Sequence, residues 1–386
     1  MAFALPVELS VHVDRPAIVA PAPREISFGR VAGTVDAGVD RVVVLVNGRE
    51  EAAAEVLDGR FELRIELPPR DSAVRVVAED ALGNEAARTV SPVFGLPPAA
   101  DAGAARPYED AVLARQIERL IKKFPGTSGI YVENLDTGAG AAWNARARFP
   151  AASSVKIAIA IEAMRVLNGR PPRGSSLGRL LDLMLIHSDN AASNELLSWL
   201  GGSETGGAAQ VNETMAALGL TDSYLYGGYL VSTGAGPIPL EVESQPDFEG
   251  KYTTAWDLAQ LHRGLHLAAG GGGPLVNELQ GSFTPADARF LLYTLAHSAD
   301  RGKLDRFMDP DVVVPHKAGW VSDARHDSGI VYSPDGAFVV SVMTWNAYGA
   351  GTSSDVLAGR VAEAALRRFR APDSSSEGLE TLSLHL

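Results

Sequence analysis

The chain has 386 residues, of which 46% are hydrophobic and 21% charged, and its formal net charge is −13. This length favours two domains, and the composition is that of an ordinary globular protein. The acidic balance, with no basic stripe to offset it, argues against a nucleic-acid partner. The absence of cysteine excludes disulfides, thiol catalysis and cysteine-ligated metal sites. No apolar run approaches the ~18 residues of a membrane-spanning helix.

Residues 1–25 form an N-terminal segment that is a poor export signal as written. Residues 1–13 are apolar, but they include Glu8 and have no basic start. We therefore expect that the chain is not exported by that route or that a leader is missing.

Residues 26–95 are predicted to form short β-strands. Hydrophobic and charged residues alternate through Phe61-Glu62-Leu63-Arg64-Ile65-Glu66-Leu67, the period-two pattern of a half-buried strand. Asn47-Gly48, Asp58-Gly59 and Gly83-Asn84 mark turns. This spacing indicates a small antiparallel sandwich similar to bacterial immunoglobulin-like domains. It carries no catalytic cluster, so a spacer or docking module is favoured over a ligand site, and residues 96–107 are predicted to be a linker.

The second module, residues 108–370, is predicted to mix helices and strands. An opening helix ends at Pro125-Gly126, and a later helix begins near Ser153. Other helices are predicted at 177–200, 208–218, 254–267 and 285–297, and a final helix carries Leu357 and Val361 on its apolar face. Strands are predicted at 129–134, 140–143, 312–320, 329–332 and 338–345. Residues 371–386 are predicted to be a loose tail.

Three short motifs of this module carry candidate chemistry: Ser153-Ser154-Val155-Lys156, Ser188-Asp189-Asn190 and Lys317-Ala318-Gly319. A serine three residues before a lysine on a helix shares its face, so an amine lies beside a hydroxyl and can activate it as a nucleophile. The second motif adds a hydroxyl and an amide, and the third adds a cation on a predicted strand. The three motifs together, in this order, predict one active site.

Ser153 is the predicted nucleophile, and its backbone N–H, free at the start of a helix, is a candidate oxyanion donor. The alternative is a helix cap, a position that serine favours and that Ser154 could also fill. Lys156 is the predicted base, or the residue that positions it. An ordinary lysine is protonated at pH 7, so this role needs burial or a second cation nearby. The apolar residues around Lys156 favour burial over a solvated surface position.

These motifs, with Phe149-Pro150 and Thr253-Thr254-Ala255, resemble the serine β-lactamase and penicillin-binding protein superfamily, closest to its class A β-lactamase-like branch. The resemblance covers residues 108–370. It implies an α/β unit in which helices flank an antiparallel sheet and the site lies beside a separate helical lobe. The predicted fold class is therefore multidomain: an all-β immunoglobulin-like sandwich followed by an α/β β-lactamase-like unit.

The resemblance also implies roles for the motif residues. Ser153 would attack a carbonyl and carry the acyl group. Ser188 would relay a proton to the leaving nitrogen, and Asn190 would orient Lys156 and a substrate amide. The alternative for Asp189 is an Asp-Asn turn that caps a helix from residue 191.

The third motif is implied to bind the substrate's anionic group. Lys317 would hold a carboxylate beside Gly319, and the backbone N–H groups of Ser153 and Trp320 would form the oxyanion hole. Arg325 could return toward Lys317 through a hairpin and bind the same carboxylate, and the alternative is a surface ion pair.

The expected function is that of a β-lactamase-type serine hydrolase, which opens a β-lactam amide through an acyl-serine. The alternatives are a D-alanyl-D-alanine peptidase and a penicillin-binding receptor that is acylated without turnover. The expected partner is a β-lactam or a cell-wall peptide, and the resemblance implies a secreted or cell-envelope protein. His262 and His266 lie four residues apart on a predicted helix but lack a third ligand, so neither a metal nor a cofactor is expected.

Two departures from the family pattern keep the alternatives open. The third motif usually has Thr or Ser where this chain has Ala318. Hydrolytic class A enzymes carry a Glu-x-x-Leu-Asn run whose glutamate activates the deacylating water, but residues 220–234 contain Asp222 and no glutamate. The glutamates that follow do not match the motif: Glu241, Glu243 and Glu249.

Overall fold

A computed structural model describes residues 13–97, 105–229, 245–246 and 248–370. Residues 1–12 of the N-terminal segment, the centre of the predicted linker and the predicted tail lie outside these ranges. No helix within them is both long enough and apolar enough to cross a membrane.

The described N-terminal residues form strands in two sheets. The strands are β1 (Ala17–Ala20), β2 (Glu25–Ser27), β3 (Arg30–Thr34), β4 (Val39–Val46), β5 (Arg49–Glu55), β6 (Arg60–Arg64), β7 (Asp71–Asp80) and β8 (Glu85–Gly95). The sheet orders are β1-β3-β6 and β2-β8-β7-β4-β5. Side chains of both sheets, such as Phe61 and Val76, share one core, as alternation along the strands requires. The predicted all-β unit is confirmed, with one pair, β2 and β8, parallel.

The second part of the chain combines strands and helices. Its strands are β9 (Tyr108–Glu109), β10 (Thr127–Asn134), β11 (Ala139–Trp143), β12 (Phe149–Pro150), β13 (Tyr252–Thr253), β14 (His316–Trp320), β15 (Ala324–Ser333) and β16 (Gly336–Trp345). Its helices are α1 (Ala111–Ile121), α2 (Lys156–Leu167), α3 (Ser176–Ile186), α4 (Asn190–Gly201), α5 (Glu204–Ala217), α6 (Ala255–Ala269), α7 (Pro274–Asn277), α8 (Pro285–Ala296) and α9 (Thr352–Phe369).

A six-stranded sheet, ordered β14-β15-β16-β10-β11-β9, joins strands from both ends of this unit. Helices α1 and α9 cover one face, and α6 packs on the other. Helix α2 is buried at every residue from Lys156 to Met164, with α3, α4, α5 and α8 packed around it. The predicted sheet flanked by helices is confirmed, although β9 pairs with β11 in parallel.

The helix predicted at 177–200 is two helices in the structure. Helix α3 ends at Ile186, and the Asp189 carboxylate accepts a hydrogen bond from the N–H of Ala192 at 2.7 Å to cap α4. Between them Ser188 has a φ of +57°, a left-handed conformation that a helix cannot contain. The break therefore falls inside the second motif.

A buried charged cluster joins the two units. Glu25 on β2 is 2% exposed, and its carboxylate oxygens lie 2.9 Å from Arg289 on α8 and 2.9 Å from Arg170 after α2. Beside it, the guanidinium of Arg24 lies over the ring of Phe290 on α8. Two cations around one buried carboxylate offset the cost of removing it from water. The sandwich is therefore packed against the second unit.

Gly207 sets how closely α4 and α5 pack, because a Cβ added there would collide with the carbonyl oxygen of Leu197. We expect Gly207→Ala to lower the free energy of unfolding by about 1–3 kcal/mol, although alanine in a helix is normally favoured over glycine. Gly272→Ala is the matched control, because no heavy atom lies within 4 Å of its added Cβ. Urea unfolding measures both variants, and equal stabilities would contradict the tight packing.

Candidate active site

Ser153 lies in a tight turn before α2. The helix begins at Lys156, three residues later than predicted, and no side chain caps it. The Ser154 hydroxyl donates to the carbonyl of Ala151 at 2.6 Å, so neither serine is a cap. Ala152, directly before Ser153, has a φ of +48°, a conformation that costs energy for a residue with a Cβ. The Ser153 hydroxyl has no hydrogen-bond partner among the described residues and is only half-buried.

The Lys156 ammonium is fully buried and contacts the second motif. Its Nζ donates to the Ser188 carbonyl at 2.6 Å and to Oδ1 of Asn190 at 2.7 Å, with the Asp189 carbonyl at 3.3 Å. Burial, and then the charge of Lys317, lowers the pKa of Lys156 to about 7. An amine in this range can accept a proton near neutral pH.

Ser188 is shared by the two lysines. Its carbonyl accepts from Lys156, and its hydroxyl accepts from Nζ of Lys317 at 2.9 Å. The left-handed backbone at Ser188 turns these two groups toward different partners. The structure therefore brings the second motif between the lysines of the first and third.

Lys317 lies on β14, the edge strand of the sheet, and is 1% exposed. Its Nζ also donates to the carbonyl of Ala318 at 2.8 Å. Burial lowers the pKa of Lys317 to about 8, while the charges of Asp300 and Asp327 act in the opposite direction. These carboxylates favour the charged form, which suits an anion-binding residue.

Gly319 allows the edge strand to touch the serine turn. A Cβ at this position would lie 2.5 Å from the backbone nitrogen of Ser154 and 2.7 Å from that of Ser153. The N–H of Val321 donates to Ala324 on β15, so the alternation of an antiparallel strand directs the N–H of Trp320 away from β15, to the open edge. Two backbone N–H groups, of Ser153 and Trp320, thus lie along the same edge.

A family model described as "Beta-lactamase enzyme family" matches residues 112–170 and 166–369, well over half of the chain. The chain belongs to the beta-lactamase enzyme family. The match begins after the N-terminal sandwich, which it does not include. No curated protein matches the chain.

Solved structures show the same fold for this beta-lactamase-family unit. PBP-A superposes with a TM-score of 0.55 at 20% identity, over 69% of this chain and 98% of that one. A point mutant of PBP-A, described as an acyl-enzyme complex with penicillin G, gives 0.53 at 22% identity over 68% and 98%. An ancestral (GNCA) class A β-lactamase gives 0.53 at 20% identity over 67% and 100%. These likenesses confirm the class A β-lactamase-like fold.

Arg325 lies away from this site. It pairs with Trp320 across β14 and β15, whereas Lys317 pairs with Ser328, so Arg325 and Lys317 are on opposite faces of the sheet. Its Nε donates to Asp355 on α9 at 2.8 Å. The ion pair, the alternative that the sequence left open, is what the structure contains, and Arg325 is left out of the site proposed below.

Two residues that the motifs did not indicate complete the surroundings of Lys156. The ammonium groups of Lys156 and Lys251 each lie 4.6 Å from the ring centroid of Tyr229. Nζ of Lys251 donates to the carbonyl of Gly228 at 2.7 Å, and burial lowers the pKa of Lys251. Lys251 stands just before Thr253-Thr254-Ala255 in the sequence, but its spacing to the other motifs carries no signal.

Among the described residues, the carboxylates considered for deacylation do not contact Lys156. Asp222 pairs with Arg146 at 3.2 Å and with Arg148 at 3.1 Å. Glu249 is exposed, and Glu241 and Glu243 lie outside the described residues. The residue over the amine of Lys156 is Tyr229, whose phenol has its pKa raised by burial.

The histidines of α6 are core residues. His262 is fully buried, and burial lowers its pKa to about 3. Nδ1 of His266 lies 3.0 Å from the hydroxyl of Tyr332. No cluster of three or more metal-binding side chains occurs in the part of the chain that the structure describes.

His326 ties the segment before the serine turn to the sheet. Nδ1 accepts from the N–H of Thr344 at 3.1 Å, so Nε2 carries the proton and donates to the carbonyl of Pro150 at 2.7 Å. Burial lowers the pKa of His326 to about 4. The contact with Thr344 requires the neutral ring, since Nδ1 must accept there.

We expect the stability of the protein to fall in mild acid partly through His326. Its folded pKa of about 4 lies below the ordinary value of 6.5, so its contribution is complete above pH 6.5 and is lost as the pH falls toward 4. The loss should reach up to about 3 kcal/mol. Urea unfolding of His326→Gln between pH 7 and 4 should show a flatter profile than the parent. His187→Gln, at an exposed position, is the control, and parallel profiles for all three proteins would contradict the assignment.

Proposed function

We propose that this protein is a β-lactamase-type serine hydrolase that opens a β-lactam amide through an acyl-Ser153 intermediate. The observation that supports this best is the pair of buried lysines that share Ser188 beside the Ser153 turn. In the proposed mechanism these residues would act as a base, a proton relay and an anion-binding group.

In the acylation step, the Ser153 hydroxyl gives its proton to neutral Lys156 while its oxygen attacks the carbonyl carbon. The lowered pKa of Lys156, which is due to burial and the neighbouring charge, supports this role. The oxyanion that forms would be held by the N–H groups of Ser153 and Trp320.

The ring nitrogen then leaves as the carbon–nitrogen bond breaks. Ser188 would pass it a proton that is replaced from Lys156, and the contact of Ser188 with Lys317 supports this position for the hydroxyl. Lys317 would bind the substrate carboxylate, and Asn190, bonded to Lys156, would orient the amide. Water would finally cleave the acyl ester.

A second candidate is a penicillin-binding protein whose acyl-enzyme persists. Tyr229 over Lys156 favours it, because this phenol is not a base for a deacylating water. Ala318 lacks the hydroxyl with which the family bonds the substrate carboxylate, which argues for weaker binding of a classical penicillin in either candidate function. PBP-A, which shares the fold, has been solved as a penicillin G acyl-enzyme in a mutant form.

Intact mass measured over time with penicillin G tests the proposal. We expect the protein to gain the mass of one penicillin, because the opened ring stays attached to the acyl group. Ser153→Ala should abolish this labelling. Ser154→Ala is the matched control, because that hydroxyl is bonded to Ala151, and labelling should remain. Persistent labelling of Ser153→Ala would remove Ser153 as the nucleophile.

The fate of the adduct separates the candidate functions. Repeated turnover of a chromogenic cephalosporin supports the hydrolase, and a stoichiometric burst that stops supports the penicillin-binding protein. Release of D-alanine from a cell-wall pentapeptide would support a D-alanyl-D-alanine peptidase instead. Absence of both an adduct and turnover with both substrate types would contradict acyl-serine chemistry altogether.

A further inference from the structure

Two further lysine ammonium groups lie near that of the candidate base, Lys156. Lys317 comes from β14, Lys156 from α2, and Lys251 from the segment before α6. Because Lys156 and Lys251 each lie 4.6 Å from the Tyr229 ring centroid, they are no further apart than twice that distance. Charges at such a separation still interact strongly when they are shielded from water.

The contacts of Lys156 act in opposite directions on its proton. The oxygens of Ser188, Asp189 and Asn190 accept from Nζ and so favour the ammonium. Burial and the neighbouring cations favour the neutral amine. Lys156 can act as a base only when burial and the neighbouring cations outweigh these hydrogen bonds, so each nearby cation contributes to lowering its pKa.

Lys251 is held in place by three features. The Gly228 carbonyl accepts a hydrogen bond from its Nζ at 2.7 Å, and the ring centroid of Tyr229 lies 4.6 Å from the same nitrogen. Burial lowers the pKa of Lys251, whereas the charge of Glu204 on α5 favours its ammonium form. A Cβ at Gly228 would collide with the Glu204 carboxylate, so the glutamate lies against the same short segment. Lys251 therefore has a counter-charge, and Lys156 is bonded only to neutral oxygens.

We propose that Lys251 is a positioning residue that keeps Lys156 in its neutral, proton-accepting form. It acts through its charge, across Tyr229, and touches neither the substrate nor Ser153. The Lys251 charge adds to that of Lys317 and opposes that of Asp189. This inference rests on the proposed function, in which Lys156 accepts the proton of Ser153.

The pH profile of acylation tests the role of the charge. The acylation rate with a fluorescent penicillin should fall at low pH as Lys156 becomes protonated. In Lys251→Met this fall should begin at a higher pH, so that the rate on the acidic side of the pH profile is about three- to tenfold lower than in the parent. The rate on the alkaline plateau should be unchanged. Lys251→Arg keeps the charge and should restore the parent profile. Lys122→Met, which removes an exposed lysine paired with Glu118, should have no effect.

A loss of rate that is equal at every pH would indicate a structural role and overturn the proposal, as would a profile identical to the parent's. Lysine ¹³C NMR of the parent protein gives a second test that needs neither acylation nor a folded Lys251 variant. Lys251 should remain charged through the pH range in which Lys156 titrates, and a neutral Lys251 there would overturn the inference. Absence of acylation with a normal Lys156 titration would contradict the proposed function alone.

Discussion

Two buried ammonium groups that share one serine are the interaction on which the rest of the site depends. Lys156 and Lys317 bond the carbonyl and the hydroxyl of Ser188, respectively, within a region that excludes water. Keeping both of these buried, neighbouring lysines charged costs free energy, because each loses its hydration and the two charges repel each other. Asp300 and Asp327 favour the charged form of Lys317, whereas the oxygens around Lys156 are neutral. We therefore expect Lys156 to release its proton before Lys317 does, which supports the proposed roles of Lys156 as base and Lys317 as anion-binding residue.

Unusual backbone at two positions holds that arrangement. Ala152 and Ser188 both have left-handed φ values, one before the serine turn and one between α3 and α4. Each costs free energy that the surrounding packing must offset, and α2, buried along most of its length, provides that packing. Gly319 then lets the edge strand approach the serine turn more closely than any side chain would permit. The strain is thus concentrated where the three motifs meet.

The sequence predicted the fold class and the elements that carry the motifs, because motif residues are local and hydrophobic periods mark each strand and helix. It allowed an Asp-Asn turn that caps a helix from residue 191, but it did not predict the left-handed backbone of Ser188 that separates α3 from α4. Arg325 was placed near Lys317 by hairpin proximity, but strand pairing puts it on the opposite face. Lys251 and Tyr229 were missed as neighbours of Lys156 because the three residues are far apart in the sequence and meet only in the folded chain, which no local pattern records.

The residues around Lys156 that favour its neutral form also limit which group could assist hydrolysis of the acyl ester. Once the proton of Ser153 has passed to the leaving nitrogen, the groups over Lys156 are a phenol with a raised pKa and a second ammonium. Neither would accept a proton from water, so among the described groups around this site the proposed mechanism would leave Lys156 itself as the candidate base for hydrolysis. Acylation and deacylation would then both depend on the ionisation of Lys156, and the rates of both steps would fall at low pH with the same apparent pKa. In an enzyme with a separate carboxylate base, the pH profiles of acylation and deacylation would fall at low pH with two different apparent pKa values. Measuring both profiles therefore distinguishes a site with one base from a site in which a second residue activates the water.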